Sequence, residues 1–231
     1  MFIRPHPARI LAALILALTA APAGAVLITS NLAADDGLNF GGYGIHAQRF
    51  ETGPHAYALD DVVLRVASFP RSSSIAGVEA LLWSDDAANH RPGSVITNFV
   101  IPPLPENLFA EAVFVPATPV VLAASTSYWV SLVHTSSTSG GVQWRGAVAG
   151  TVASGPGDIP STHSVSLDGG ANWFVNSNEG LKLAVNGSVR TPAVAEPASA
   201  GLLLSGALAA LARRPRRRPT SRGVSPRDPI L

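Results

Sequence analysis

The chain has two apolar runs without any charged residue, one near each end. A compact domain is therefore expected in the residues between them. The first run, residues 10–21, follows a segment that carries Arg4 and Arg9 and no acid. It has 12 residues, whereas a membrane span needs about 20. Ala23 and Ala25 come next, at the spacing that a signal peptidase accepts. We therefore expect a signal peptide over residues 1–25 and a mature chain that begins at Val26.

The second run covers residues 198–212 and ends at an arginine cluster. As a helix it would be about 22 Å long, which is short of a bilayer core of about 30 Å. Basic flanks stay on the cytoplasmic side of a membrane. We expect a marginal C-terminal apolar helix, an Arg-rich cytoplasmic tail over residues 213–231, and a body on the outer side. The orienting cluster consists of Arg213, Arg214, Arg216, Arg217 and Arg218.

Charge and cysteine content exclude several classes of function. Residues 26–190 contain seven Arg and Lys against thirteen Asp and Glu, so their net charge is 7 − 13 = −6. An acidic body argues against a nucleic-acid partner. The chain has no cysteine, which excludes disulfides, thiol catalysis and cysteine-ligated metals. The domain must therefore owe its stability to its hydrophobic core.

Strand signals dominate the body, and no segment keeps a helical period over 11 or more residues. The strand-like runs are short and rich in β-branched or aromatic residues: they are residues 62–66, 78–83, 111–115, 128–133 and 181–185. Turn-rich stretches such as 91–93 and 136–141 separate them, and the last run is expected to end at Asn186 and Gly187. This pattern predicts one all-β domain over residues 26–190, a β-sandwich or jelly roll. Residues 191–197 then form a linker.

Histidine and serine patterns support no catalytic or metal site. The six histidines are His6, His46, His55, His90, His134 and His163. None pairs with another at zinc-ligand spacing, so only the fold could bring them together. The G-x-S-x-G elbow of a serine hydrolase is absent. We expect no catalytic residue, no metal and no cofactor.

Acidic pairs and glycine-rich loops have simpler explanations than ligand binding. Residues 35–36, 60–61 and 85–86 are paired aspartates, yet none has the calcium-loop spacing. Asp168, with Gly169, Gly170 and Asn172, fits either a calcium loop or a tight turn, and the turn is preferred. Residues 41–44 are glycine-rich, but they do not open a helix after a strand.

Tryptophan placement leaves a carbohydrate site open. Trp83 and Trp129 lie within apolar strands, which predicts that they are buried. Trp144 and Trp173 lie near glycine-rich turns, which predicts exposure and offers flat faces for stacking on sugar rings.

The C-terminal region resembles a known sorting signal. Glu196 and Pro197, the apolar run and the arginine cluster occur in the order of the PEP-CTERM signal. The resemblance covers residues 192–218 and implies processing by an exosortase-type membrane protease in an exopolysaccharide-producing bacterium. It also implies that Glu196 and Pro197 mark the recognition and processing region. Two features differ from the pattern: Ala195 stands where the first proline is expected, and 13 residues follow Arg218.

The body is similar to a second family. Residues 48–53, 91–94, 122–129 and 166–170, followed by Trp173, occur in the order of the choice-of-anchor domains, most like the R-type. This resemblance spans most of residues 30–188. It implies a surface module that occurs with different C-terminal anchors, and it carries no assigned activity.

Together these features predict a non-enzymatic surface or matrix protein. Its expected partners are signal peptidase, an exosortase-like protease, the membrane and exopolysaccharide, with an inner-membrane precursor preceding an envelope or extracellular form. A carbohydrate-binding module is the first alternative and an extracellular hydrolase the second.

Overall fold

Every regular element in the described part of the chain is a β-strand. The computed structural model describes residues 24–41, 44–69, 77–134, 141–176 and 179–190. Fourteen strands occur in these ranges: β1 (Val26–Ser30), β2 (Asp36–Gly41), β3 (Gly44–Glu51), β4 (Tyr57–Phe69), β5 (Val78–Asp86), β6 (Arg91–Val100), β7 (Ala110–Pro116), β8 (Val121–Leu122), β9 (Ser127–His134), β10 (Gly141–Ala147), β11 (His163–Ser166), β12 (Phe174–Asn176), β13 (Gly180–Leu181) and β14 (Leu183–Val189). The all-β class predicted from the sequence is confirmed.

The first sheet is organised around β4, the longest strand at 13 residues. On one side of β4, β14 pairs with its first half and β10 with its last four residues. β1 extends the sheet beyond β14, while β2 extends it beyond β10. β7 and β8 pair with the other side of β4. One strand thus holds together elements from both ends of the domain.

The second sheet has the order β6–β5–β9–β3–β11–β12. The pairs between its strands are all antiparallel. A short antiparallel contact between β6 and β7 joins it to the first sheet, through Phe99 with Pro116 and Val100 with Val115. The result is one curled antiparallel sheet whose two halves face each other in a sandwich-like arrangement.

The main core fills the space between the two halves. Val62, Leu64 and Val66 alternate along β4 and are fully buried, whereas Val63 and Arg65 between them lie on the outer face. Phe50 and Val130 meet them from the second sheet. This period-two pattern is what two stacked sheets require.

The five strand-like runs predicted from sequence all fall in strands. The last is interrupted at Lys182, because β13 ends at Leu181 and β14 begins at Leu183. The other strands were not predicted. Several of them, such as β2 and β12, are short and carry exposed or polar residues that give no alternating signal.

Two predicted turn positions are wrong. The turn after β5 occupies residues 87–90, with His90 at φ 50°, and residues 91–93 already belong to β6. Asn186 and Gly187 do not end a strand, because β14 continues to Val189 with an irregularity between them. A side chain at Gly187 would come within 2.6 Å of the Ala58 carbonyl oxygen. Glycine is therefore needed here for close packing of two strands.

Candidate functional site

Trp144 does not form part of an exposed platform, contrary to the prediction. It is 1% exposed and belongs to the main core. β10 lies between β4 and β2, and Trp144 is in register with Val66 on one side and Phe40 on the other. Its indole N–H donates to the Lys182 carbonyl at 2.7 Å. A tryptophan next to a glycine-rich stretch is buried here because its side chain lies on the face of β10 that packs into the main core.

Trp83 and Trp129 are buried, as predicted, but outside the main core. They lie on the outer face of the second sheet in a small cluster with Ala47. The Trp83 N–H donates to Ser131 Oγ at 2.8 Å, and the Trp129 N–H donates to Asp85 Oδ1 at 2.7 Å. Satisfying both N–H groups lets the indoles remain desolvated.

Trp173 is the partly exposed member of this outer cluster. Its ring packs edge-on against Trp83, with centroids 5.8 Å apart and planes at 82°. Trp144 is in the main core between the sheets, whereas Trp173 is on an outer face. The fold therefore does not bring together the two tryptophans proposed as a sugar platform.

The loop that precedes Trp173 is a turn closed by Asp168. One Asp168 carboxylate oxygen accepts hydrogen bonds from Ser166 Oγ at 2.9 Å and from the backbone N–H of Asn172 at 2.8 Å. The other oxygen accepts a hydrogen bond from the side-chain Nδ2 of Asn172 at 2.6 Å. Gly169 and Gly170 have φ values of 76° and 94°, which favour glycine. The hydrogen bonds from Asn172 and Ser166 lower the pKa of Asp168. Protein donors thus occupy both carboxylate oxygens of Asp168, and a tight turn explains the residues that would also fit a calcium loop.

Asp85, His90 and Arg49 form a polar group beside Trp129. Arg49 Nη1 lies 3.3 Å from His90 Nδ1, so the guanidinium donates and this ring nitrogen accepts. Asp85 Oδ2 is 4.0 Å from the same nitrogen. In a Ser-His-Asp triad the histidine Nδ1 carries a proton and donates a hydrogen bond to the aspartate carboxylate. Here His90 Nδ1 accepts a hydrogen bond from Arg49, so it has no proton to donate to Asp85. This geometry argues against a hydrolytic dyad at this position.

Asp36 is the centre of a charged cluster that sequence reasoning missed. Lys182 is 2% exposed, and its Nζ lies 2.5 Å from both Asp36 Oδ1 and the Ala34 carbonyl oxygen. Arg145 and Arg65 approach the other Asp36 oxygen at 3.2 and 3.5 Å. The hydrogen bond from Lys182 is the main cause of a lowered Asp36 pKa. The only sequence signal is that the chain's single lysine interrupts an apolar strand.

The remaining acidic pairs also have protein partners. Asp61 accepts from Asn186 at 2.7 Å and Asp60 from Ser188 at 2.8 Å. Asp86 pairs with Arg91 at 3.0 Å. Over the described ranges, no three His, Asp or Glu side chains come together as a group that could hold a metal ion.

His46 and His163 meet between the two sheets, at the margin of the main core. His163 lies on β11 and His46 on β3, and their ring centroids are 5.9 Å apart. Phe40 of β2 packs edge-on against His163 at 4.3 Å. Sequence reasoning missed this pair because the two histidines are far apart in the chain and become neighbours only through strand pairing.

Each of these two histidines has a buried nitrogen without a hydrogen-bond partner: Nδ1 of His46 and Nε2 of His163. Burial is the main cause that lowers the His46 pKa to about 4, and the charge of His163 adds to the effect. Burial also lowers the His163 pKa, partly offset by the bond to the Glu179 carbonyl. Both imidazoles are therefore neutral at neutral pH.

A cleft of about 280 Å³ opens beside His46. Its walls are mostly apolar or aromatic and include Phe40, Gly41, Gly44, Val142 and Trp144. The enclosed part has room for little more than one water-sized group. This size fits a single ion or solvent molecule better than an organic ligand.

The proposed sorting residues cannot be placed. Glu196, Pro197 and the arginine cluster at 213–218 lie outside the described residues, as do the apolar run at 198–212 and residues 1–23. Over the ranges that are described, the chain has no helix of the length and apolarity needed to cross a membrane. No family model matches the sequence, and no curated protein matches it.

Proposed function

We propose that this chain is an exported, non-enzymatic cell-surface or extracellular-matrix protein, sorted through a PEP-CTERM-like tail in an exopolysaccharide-producing bacterium. The observation that carries the proposal is the pair of targeting-type segments, at residues 1–25 and 192–218, that flank one β domain. The body resembles a choice-of-anchor module of the R-type, a finer assignment within the all-β class.

The polar clusters of the domain support a non-enzymatic role. Asp36, Asp85 and Asp168 each accept hydrogen bonds or ion pairs from neighbouring side chains. A catalytic acid or base needs a free position toward a substrate and a pKa close to the working pH. The lowered pKa values of Asp36 and Asp168 fit structural carboxylates better.

The proposed route has two processing steps. Signal peptidase removes residues 1–25, and the apolar helix at 198–212 holds the precursor in the inner membrane with its arginines inward. An exosortase-like protease then recognises Glu196 and Pro197 and releases the body to the envelope or the exterior. The first strand begins at Val26, which supports a mature chain starting at that residue.

The first experiment is N-terminal sequencing of the envelope form, which should begin at Val26. In parallel, the five clustered arginines are replaced by neutral residues. Without them the tail should slip through the membrane uncut, because no charge holds its end in the cytoplasm. An intact Met1 in the envelope fraction, or normal processing of the neutral variant, would argue against this route.

Carbohydrate binding is a second candidate, favoured by the partly exposed Trp173 ring beside the Asp168 turn. We test it by retention on the cell's own exopolysaccharide. Trp173→Ala should reduce binding because it removes the stacking face. The matched control is Trp144→Phe, which changes a buried tryptophan. Equal retention of the wild type and Trp173→Ala would reject Trp173 as the platform.

A further inference from the structure

We propose that the outer face of the first sheet binds an acidic polysaccharide, whose carboxylates pair with Arg65 and Arg145. This surface plays no part in the proposed sorting route. The starting point is a concentration of positive charge in an acidic body. Residues 26–190 contain seven Arg and Lys against thirteen Asp and Glu. Three of those seven cations, the two arginines and Lys182, converge on the single carboxylate of Asp36.

The Asp36 carboxylate cannot satisfy all the donors around it. Lys182 Nζ lies 2.5 Å from Oδ1, while Arg145 Nε and Arg65 Nη2 lie 3.2 and 3.5 Å from Oδ2. The hydrogen bond from Lys182 and the charges of all three cations lower the Asp36 pKa. Arg65 directs one of its five N–H groups at this carboxylate, and its Nε has no hydrogen-bond partner in the described part of the chain. The group therefore keeps positive charge and donors that the protein does not use.

The neighbouring carboxylates do not remove this surplus. Arg65 is opposite Glu111 across β4 and β7, and Glu111 is exposed. With both carboxylates counted against the three cations, the group has a charge of 3 − 2 = +1. Glu179 is on the inner side of the sheet, because its carboxylate lies against Gly146, on the same face of β10 as Trp144. A polyanion is therefore attracted to this surface and repelled by the acidic body elsewhere.

Both arginines are held in a form that suits a carboxylate. The side chains of Arg65 and Arg145 are 32% and 24% exposed, so a ligand can reach them. The Arg145 guanidinium lies over the Phe109 ring, 5.1 Å from its centroid, and donates a hydrogen bond to Asn39 Oδ1. The ring contact and the hydrogen bond together hold the guanidinium plane. A guanidinium in a fixed plane binds a carboxylate through two parallel N–H···O bonds.

The amides beside the arginines fit a sugar chain. Gln143 lies two residues before Arg145 on the same face of β10, and Asn39 is opposite Arg145 on β2. Amide side chains both donate and accept hydrogen bonds, as sugar hydroxyls do. Together with Arg65 on β4, these groups extend across three strands. An extended polymer that carries carboxylates can contact such a surface at several points, which raises its avidity.

The test is the binding of polygalacturonate at low ionic strength, measured by biolayer interferometry. Its fully methyl-esterified form is the matched neutral polymer. The protein is the full chain, in which the five clustered arginines of residues 213–218 are replaced by glutamine in every version because they would also attract a polyanion. We expect saturable binding of polygalacturonate and at least about fivefold weaker binding of its ester. Arg65→Gln and Arg145→Gln should each weaken binding of the acidic polymer at least about fivefold.

Two further variants separate this site from a general effect of charge. Arg91→Gln removes the same charge from the second sheet, where Arg91 pairs with Asp86, and should change binding less than about twofold. Glu111→Gln should strengthen binding, because it removes an exposed negative charge opposite Arg65. Melting curves show whether each variant folds, and Glu111→Gln tests the site without removing either arginine.

No saturable binding by the reference chain, or equal binding of the methyl ester, would overturn the proposal. Equal weakening by Arg91→Gln, or no gain from Glu111→Gln, would show that the arginines do not form a specific site and would also overturn it. Trp173→Ala should bind polygalacturonate as the reference chain does. Loss of binding in that variant would place the polymer on the outer face of the second sheet instead.

Discussion

The buried histidine pair predicts that the domain loses stability between neutral and moderately acidic pH. His46 has a pKa of about 4 in the folded protein and about 6.5 when unfolded. Between these values the unfolded chain binds a proton that the folded one excludes. The sign follows from this difference: the full stability is present above the unfolded pKa and falls as the pH drops toward the folded pKa.

The size of the effect follows from the two pKa values. A folded pKa of about 4 for His46 gives a loss of about 2 kcal/mol at pH 5 and about 3 kcal/mol below pH 4. His163 contributes in the same direction, because burial lowers its pKa too. The groups near the pair are Phe40, the aromatic and aliphatic cleft walls, the Glu179 carbonyl, and the Glu179 carboxylate, whose charge opposes the lowering of the His163 pKa.

The assay is urea unfolding of residues 26–190 from about pH 8 to about pH 5. The matched variant is His46→Phe, which removes the titrating group and keeps an aromatic ring beside Phe40. We expect the wild type to lose about 2 kcal/mol more than the variant over this range. The carboxylates with lowered pKa values titrate below it and affect both proteins alike. Parallel pH curves for the two proteins would refute the reasoning.

Three further predictions concern the fold. Recombinant residues 26–190 should be soluble, monomeric and β-rich by far-ultraviolet circular dichroism without metal or reductant, and a helix-dominated spectrum would contradict this. Trp144→Ala should lower the free energy of unfolding by about 3–5 kcal/mol, because it empties a fully buried core position, and a smaller loss than for Trp173→Ala would contradict that placement. Gly187→Ala should destabilise the domain in urea unfolding by about 1–3 kcal/mol, because its new methyl group meets the Ala58 carbonyl oxygen; an unchanged midpoint would refute the close approach.

Alternation along the chain predicted the central strands but not the edges. Val62, Leu64 and Val66 in β4 gave a clear period-two signal because one face of that strand is buried and the other is not. Strands such as β12 have no such contrast, since Phe174 and Val175 are both exposed. The result is an all-β prediction with the right class and an incomplete strand list.

Local sequence context failed for Trp144 and for the histidine pair. Flanking glycines predicted an exposed Trp144, whereas its side chain lies on the face of β10 that packs into the main core. His46 and His163 become neighbours through the pairing of β3 with β11. The spacing of residues along the chain cannot predict this contact, because it depends on how the strands pair in the assembled sheet.

The most direct test of the proposed sorting function is an immunoblot of membrane and external fractions from a strain known to contain an exosortase. The wild type is compared with a variant in which Glu196 and Pro197 are both replaced by alanine. We predict a shortened wild-type body outside the inner membrane and a full-length, membrane-held variant. A wild-type chain that stays full-length in the membrane would contradict the sorting account. Ala195, in the place of the expected proline, would then be the first residue to change.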